Sequence, residues 1–151
     1  MPHIHPDIDF AVSVFVVHEG KVLFIKHKQL GIWLSVGGHV ELDEDPEAAA
    51  LREAKEESGL DVELMGSRAP VEMTNGRQLI APAYMDIHRI SPTHRHIGMV
   101  YFARAKSQVV HLAAEEHDDI RWLTADDLND AKYDLLPQIR FYANEALKRC
   151  A

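Results

Sequence analysis

Cysteine is nearly absent from this chain of 151 residues, since Cys150, next to last, is the only one. A single cysteine allows neither an intrachain disulfide nor a cysteine-rich zinc site. Long apolar runs are missing as well, and the start, MPHIHPDIDF, has neither the basic region nor the apolar stretch of a signal peptide. We therefore expect no membrane span and a cytoplasmic location.

Positive charge is also scarce. Sixteen lysine and arginine residues stand against twenty-four aspartate and glutamate residues, which gives a formal net charge of −8. A nucleic acid is then an unfavourable partner, because its phosphate backbone requires a surplus of basic side chains. A small anionic ligand remains compatible with this charge if a bound cation reverses the local field.

The apolar pattern predicts one mixed α/β domain over residues 1–151, with 46% hydrophobic residues to form its core. A β-hairpin is predicted around the turn His18-Glu19-Gly20. The further predicted strands are residues 33–36, 60–64, 79–90 and 99–105, and a short one around Ile120 and Trp122.

Two helices are predicted from their capping residues. Asp45 followed by Pro46 predicts a helix that runs to about Ser58 and ends at Gly59. Its apolar side is expected to consist of Ala50, Leu51, Ala54 and Ser58. Asp134 is expected to cap a last helix over residues 135–148.

The first of these helices concentrates negative charge. Glu53, Glu56 and Glu57 fall within about a third of its circumference, at about 100° per residue. Carboxylates so close repel one another, and a hard divalent cation such as Mg²⁺ or Mn²⁺ would relieve the repulsion. The alternative is a solvated acidic face that Arg52 supports by pairing with Glu56.

Residues 38–60, GHVELDEDPEAAALREAKEESGL, resemble the signature of the Nudix hydrolases, also called MutT-type. That signature is G-x5-E-x7-R-E-U-x-E-E-x-G-U, where U is an aliphatic residue. It is filled in order by Gly38, Glu44, Arg52, Glu53, Ala54, Glu56, Glu57, Gly59 and Leu60. The resemblance implies an α/β/α sandwich with a mixed β-sheet, in which this segment forms a loop, a helix and a second loop.

The resemblance also implies an activity. Family members hydrolyse a nucleoside diphosphate linked to another moiety, using Mg²⁺ with Mn²⁺ as a substitute. The carboxylates matching Glu53, Glu56 and Glu57 are expected to bind the metal, together with the backbone carbonyl of Gly38. Arg52 is expected to hold a glutamate in place, and Glu44 to assist the site.

The general base stays open between several glutamates. Glu53 or Glu56 is the first choice, because a carboxylate not fully engaged with metal can accept the proton of the attacking water. Glu115 and Glu116, just before the predicted strand around Trp122, are the competing base or additional ligand.

The substrate is poorly defined by the sequence. Relatives that cleave ADP-ribose or dinucleoside polyphosphates tend to carry a proline or a tyrosine about 15 to 18 residues beyond the signature. Asn75, Gly76, Arg77 and Gln78 occupy those places here. Nucleoside triphosphates, normal or oxidised, are therefore slightly favoured, and the oligomeric state is open between monomer and homodimer.

Two other functions fit the sequence less well. A catalytically silent Nudix-fold module that binds a nucleotide or a protein is disfavoured, because every carboxylate of the signature is present. Prenyl-diphosphate isomerisation is disfavoured by the position of the single cysteine at the tail.

Histidine is frequent, with ten residues in the chain. His94, Arg95 and His96 are predicted to lie in a loop that opens a strand, as substrate contacts or as an ordinary polar loop. His39 is open between a substrate contact and a plain turn residue. His3 and His5 are spaced like a metal pair, but we expect no site at a chain terminus.

Overall fold

The computed structural model describes residues 5–151. Two helices, α1 (Pro46–Ser58) and α2 (Pro137–Arg149), accompany a short 3-10 helix at Asp127–Asn129. The strands are β1 (Ile8–His18), β2 (Lys21–His27), β3 (Trp33–Leu34), β4 (Val36–His39), β5 (Val62–Met65), β6 (Tyr84–Ser91), β7 (His94–Ala105) and β8 (His117–Leu123). In this part of the chain no helix is both long and apolar enough to cross a membrane.

All eight strands belong to one mixed sheet, built around the parallel pair β1 and β7. The other edge of β1 pairs antiparallel with β4 along its first half and with β2 at its end. The other edge of β7 pairs antiparallel with β6 and then with β5. Strands β3 and β8 extend the sheet beyond β2.

Side chains along a strand alternate between the two faces of a sheet, so both faces carry apolar side chains. Each face is covered by one helix. Val12, Val14 and Val16 of β1 pack with the buried alanines of α1. Phe15 and Val17 of the same strand pack on the opposite face with residues of α2. The predicted α/β/α sandwich with a mixed sheet is confirmed.

Helix α1 has the predicted bounds and caps. Asp45 accepts a hydrogen bond from the backbone N–H of Ala48 at 2.9 Å, and Gly59 ends the helix with a φ of 77°. The predicted buried side needs one correction, since Leu51 is exposed and Ala49 is buried in its place. Leu51 lies one turn before the exposed Lys55, on the solvent side of the helix.

The β1–β2 hairpin is confirmed, with Glu19 and Gly20 both at positive φ in its turn. Other predicted boundaries were wrong. Of the predicted strand 79–90, only the part from Tyr84 onward is a strand, and residues 66–83 form an irregular connection. Asp134 does not cap α2, which begins at Pro137 after Leu136.

Candidate functional site

Arg52 is the centre of a cluster of acidic side chains at one side of α1. Its guanidinium donates to both carboxylate oxygens of Glu44, at 2.7 and 2.9 Å, and to Glu53 Oε1 at 2.9 Å. It also donates to Glu56 Oε2 at 3.2 Å and to the backbone carbonyl of His39 at 3.1 Å. One arginine thereby fixes three glutamates relative to strand β4.

Glu53 and Glu57 are the buried members of this cluster, which we call the acidic cluster (Glu44, Glu53, Glu56 and Glu57). Their exposed fractions are 6% and 4%, whereas the side chain of Glu56 is 59% exposed. Because Glu53 and Glu57 are four residues apart, they share the helix side that faces β4. Of the three glutamates predicted to bind metal, Glu56 is therefore the one most exposed to solvent.

Two consecutive glycines of β4 make room for these carboxylates. The backbone N–H of Gly37 donates to Glu57 Oε1 at 2.6 Å. A Cβ atom at Gly38 would lie 2.2 Å from Glu53 Oε1, which is far inside ordinary contact distance. Gly38 is thus the residue type that permits Glu53 to approach the strand, and its predicted place beside the carboxylates agrees with the geometry.

The electrostatics of the cluster differ from residue to residue. The hydrogen bonds from Arg52 lower the pKa of Glu44 below its usual value. Burial, reinforced by the negative charge of Glu57 and opposed by Arg52, raises the pKa of Glu53 to about 7. The cluster therefore holds one carboxylate whose charge is stabilised, Glu44, and one buried carboxylate whose charge is poorly compensated, Glu53.

A histidine that the sequence did not single out completes this site. His117, at the start of β8, is 4% exposed, and its Nε2 forms a short hydrogen bond with Glu57 Oε2. Within residues 5–151, its Nδ1 is buried and has no hydrogen-bond partner. The two residues are sixty positions apart, so only the pairing of β8 with β2 brings them together.

The two other glutamates proposed as base or ligand occupy different positions. Glu116 Oε2 lies 3.8 Å from His117 Nε2, so this exposed carboxylate borders the buried pair of Glu57 and His117. Glu115 is exposed in the turn that precedes β8. Of the two, Glu116 has a position at the site.

The predicted histidine contacts form a separate group. His94 and His96 lie within β7, not in a loop, because β7 begins five residues earlier than predicted. His39 Nε2 lies 3.2 Å from His96 Nε2 and 3.4 Å from Asp9 Oδ2. Arg95 is exposed, between two side chains that point to the other face. His3 lies outside the described residues.

The donor set of the acidic cluster fits a hard divalent cation. Carboxylate oxygens are the ligands that Mg²⁺ and Mn²⁺ prefer, and here two of them are buried side by side. The raised pKa of Glu53 shows that these charges lack full compensation in the metal-free protein. A cation beside Glu53 and Glu57 would supply it.

Comparison with known proteins gives consistent results. A family model described as NUDIX domain matches residues 8–144. The solved structure of a NUDIX family hydrolase from Clostridium perfringens has a TM-score of 0.85 and 35% identity, and the match covers 95% of this chain and 98% of that one.

Two curated relatives match at 31% identity. One, from Lactococcus lactis subsp. cremoris, is named probable DHNTP pyrophosphohydrolase, and the match covers 73% of this chain. The other, from Streptomyces ambofaciens, is named MutT-like protein, and the match covers 78% of this chain. The matches span 62% and 64% of these relatives' own lengths.

Proposed function

The chain belongs to the Nudix hydrolase family, and we propose that it is a divalent-metal-dependent pyrophosphohydrolase. Its substrate would be a nucleoside diphosphate linked to another moiety. The observation that carries the proposal is the buried pair Glu53 and Glu57, set against the Gly37-Gly38 strand and held by Arg52. A cation is the natural partner of such a pair, and a diphosphate is the natural partner of that cation.

The proposed ligands of Mg²⁺, or of Mn²⁺ in its place, are Glu53, Glu56, Glu57 and the carbonyl of Gly38. A bound divalent ion would neutralise phosphate charge and lower the pKa of a water molecule. Arg52 would keep Glu53 and Glu44 in position through the hydrogen bonds described above. His117 would fix the orientation of Glu57 from its other side, opposite the N–H of Gly37.

We assign the role of general base to Glu53 first. A carboxylate not fully engaged with metal can accept the proton of the attacking water, and burial favours the protonated form of Glu53. Glu56 and Glu116 remain the competitors, because both are exposed at the edge of the site and can reach a water molecule without losing their own solvation. Glu115 is the weaker candidate, since it lies in the turn outside the cluster.

The substrate is best sought with a panel. Nucleoside triphosphates, normal and oxidised, lead the panel. Residues 75–78 hold neither the proline nor the tyrosine typical of relatives that cleave ADP-ribose or dinucleoside polyphosphates. DHNTP is included because it appears in the name of the Lactococcus relative. ADP-ribose, dinucleoside polyphosphates and nucleotide sugars complete it, each assayed with Mg²⁺ and with Mn²⁺ by analysis of the products.

The test of the proposal is Glu57→Gln, assayed on the best substrate of the panel. We expect kcat/KM to fall at least about a hundredfold while the circular dichroism spectrum is retained, because the amide keeps the shape and loses the charge. The matched control is Glu63→Gln, on the exposed side of β5, which should leave the rate unchanged.

A Glu57→Gln variant with the wild-type rate would contradict the proposal. So would tight nucleotide binding without product release across the whole panel, with the wild-type chain and either metal. That second outcome would favour the catalytically silent binding module instead.

A further inference from the structure

A second group of polar side chains lies on the opposite face of the sheet from the acidic cluster. Asp9 is in register with His96, and Ala11 with both Gly98 and His39. By the alternation along β1, Asp9 and Ala11 share the face of Phe15, which packs under α2. We call this group the Asp9 cluster (Asp9, His39, His94 and His96).

Asp9 is a buried carboxylate surrounded by imidazoles. It is 1% exposed and His94 is 4% exposed. Asp9 Oδ2 lies 3.0 Å from His94 Nε2 and 3.4 Å from His39 Nε2. The other oxygen, Oδ1, accepts a hydrogen bond from the backbone N–H of His5 at 2.7 Å. A carboxylate this deep is stable only where positive charge or strong donors compensate it.

The contacts of His94 show how its two ring nitrogens are placed. Its Nδ1 lies 2.9 Å from the carbonyl oxygen of Pro6, and a carbonyl only accepts, so Nδ1 carries a proton. Its Nε2 lies 3.0 Å from Asp9 Oδ2. A metal ion bound by both atoms would use the nitrogen as a ligand and balance the charge of the carboxylate.

Two features favour a metal ion. A metal-binding histidine usually donates its other ring N–H to a backbone carbonyl, as His94 does to Pro6. In addition, His94 Nε2 and Asp9 Oδ2 lie 3.0 Å apart. A nitrogen and an oxygen bound to one tetrahedral zinc ion at about 2.0–2.2 Å are separated by about 3.4 Å.

The remaining geometry agrees with a shared ion. Ligand atoms of Asp9, His94 and His96 all lie within 4.8 Å of one another. His39 borders this group from the end of β4, where its Nε2 lies beside His96 and Asp9. Two imidazoles and one carboxylate suit a borderline transition metal such as Zn²⁺ and are unlike the oxygen sites of Mg²⁺.

We propose that the chain binds a Zn²⁺-class ion between the side chains of Asp9, His94 and His96. The site joins the start of β7 to the start of β1 and, through the N–H of His5, to the segment before β1. Two of its ligands, Asp9 and His94, are buried and join two strands, so the ion would have a structural role. The proposed zinc site does not depend on the proposed hydrolysis, and it is tested by the metal content of the chain.

The experiment uses the full chain without a histidine tag, stripped with a chelator, reloaded with Zn²⁺ and exchanged into buffer with excess Mg²⁺. We expect about one zinc ion per chain to remain, and X-ray absorption to show a shell at about 2.0 Å with two imidazoles. The Co²⁺-loaded chain should show the visible absorption of a tetrahedral ion. Failure to retain zinc would overturn the proposal.

Variants distinguish this site from the acidic cluster. His96→Gln and His94→Gln should weaken zinc binding more than about tenfold, measured by competition with a chromophoric chelator. The control His111→Gln removes an exposed histidine that lies beside Gly59, and it should bind zinc like the wild type.

Glu57→Gln should also retain zinc, since Glu57 belongs to the other face. Zinc lost in Glu57→Gln but kept in His96→Gln would assign the ion to Glu57, Glu116 and His117 and overturn the proposal. The wild-type absorption spectrum decides independently if a variant fails to fold, because an oxygen shell with at most one imidazole contradicts a site of two histidines.

Discussion

The metal-free protein should lose stability as the pH rises, through one buried side chain, Glu53. Its pKa is about 7 in the folded chain and near 4.5 in the unfolded chain. Between these two values the folded state binds more protons than the unfolded state. The free energy of unfolding therefore falls with increasing pH across this window and levels off above it.

The magnitude follows from the distance between the two pKa values. At 1.36 kcal/mol for each pH unit, the full effect is about 3 kcal/mol. Glu53 is 6% exposed, so solvent screening reduces this value little. Its cause is burial beside Glu57, only partly offset by the bond from Arg52. We expect a measured loss of about 2–3 kcal/mol between pH 5 and pH 8.

The assay is urea unfolding of wild type and Glu53→Gln at pH 5 and pH 8, with a chelator present. The two chains should be similar at pH 5, because protonated glutamate and glutamine are both neutral and similar in shape. At pH 8 the variant should be the more stable by about 2–3 kcal/mol. Glu63→Gln, at an exposed position, should show no such change with pH.

Excess Mg²⁺ at pH 8 should restore stability to the wild type, because an ion that binds only the folded state stabilises it. The same addition should have a much smaller effect on Glu53→Gln. A wild-type minus variant difference that is the same at pH 5 and pH 8 would refute the reasoning, since it would mean that Glu53 is charged in the folded chain throughout.

Three further predictions concern the geometry around the acidic cluster. Gly38→Ala should fold but lose about a hundredfold in kcat/KM, because its Cβ must push Glu53 aside by about 1 Å. Gly37→Ala should instead lower the urea midpoint, because its Cβ would lie 2.1 Å from a backbone carbonyl of β1 that has little room to move. Equal stability of Gly37→Ala and Gly38→Ala would contradict this prediction. Arg52→Lys should lower kcat/KM about 10- to 100-fold, because lysine cannot bind both oxygens of Glu44 and still reach Glu53; a wild-type rate would contradict the positioning role.

The local part of the site could be predicted from the sequence. The caps at Asp45 and Gly59 define α1, and the spacing of Arg52, Glu53 and Glu57 then places these side chains along one helix. Arg52 also reaches Glu44, eight residues away, within the same segment. Helix geometry determines the contacts within α1, whereas the contact with Glu44 also depends on the loop before Asp45.

The non-local part could not be predicted in the same way. His117 contacts Glu57 across sixty residues, and nothing in the local pattern distinguishes it from nine other histidines. Asp9 contacts His94 across eighty-five residues, because β1 pairs in parallel with β7. Pro92 just before the histidines of β7 predicts a loop there, whereas the pairing with β1 extends the strand back to His94.

Strand β4 connects the two sites, and the alternation of its side chains explains how. Gly38 faces Glu53 on the α1 side, and His39, the next residue, points to the Asp9 cluster on the other face. Arg52 binds the carbonyl of His39, so the arginine that orders the acidic cluster also holds the backbone of a residue that borders the proposed zinc site. A shift of β4 by one residue would exchange the two side chains and disturb both sites at once. The two glycines and the histidine therefore act as one structural unit, and changes in any of them should be measured at both sites.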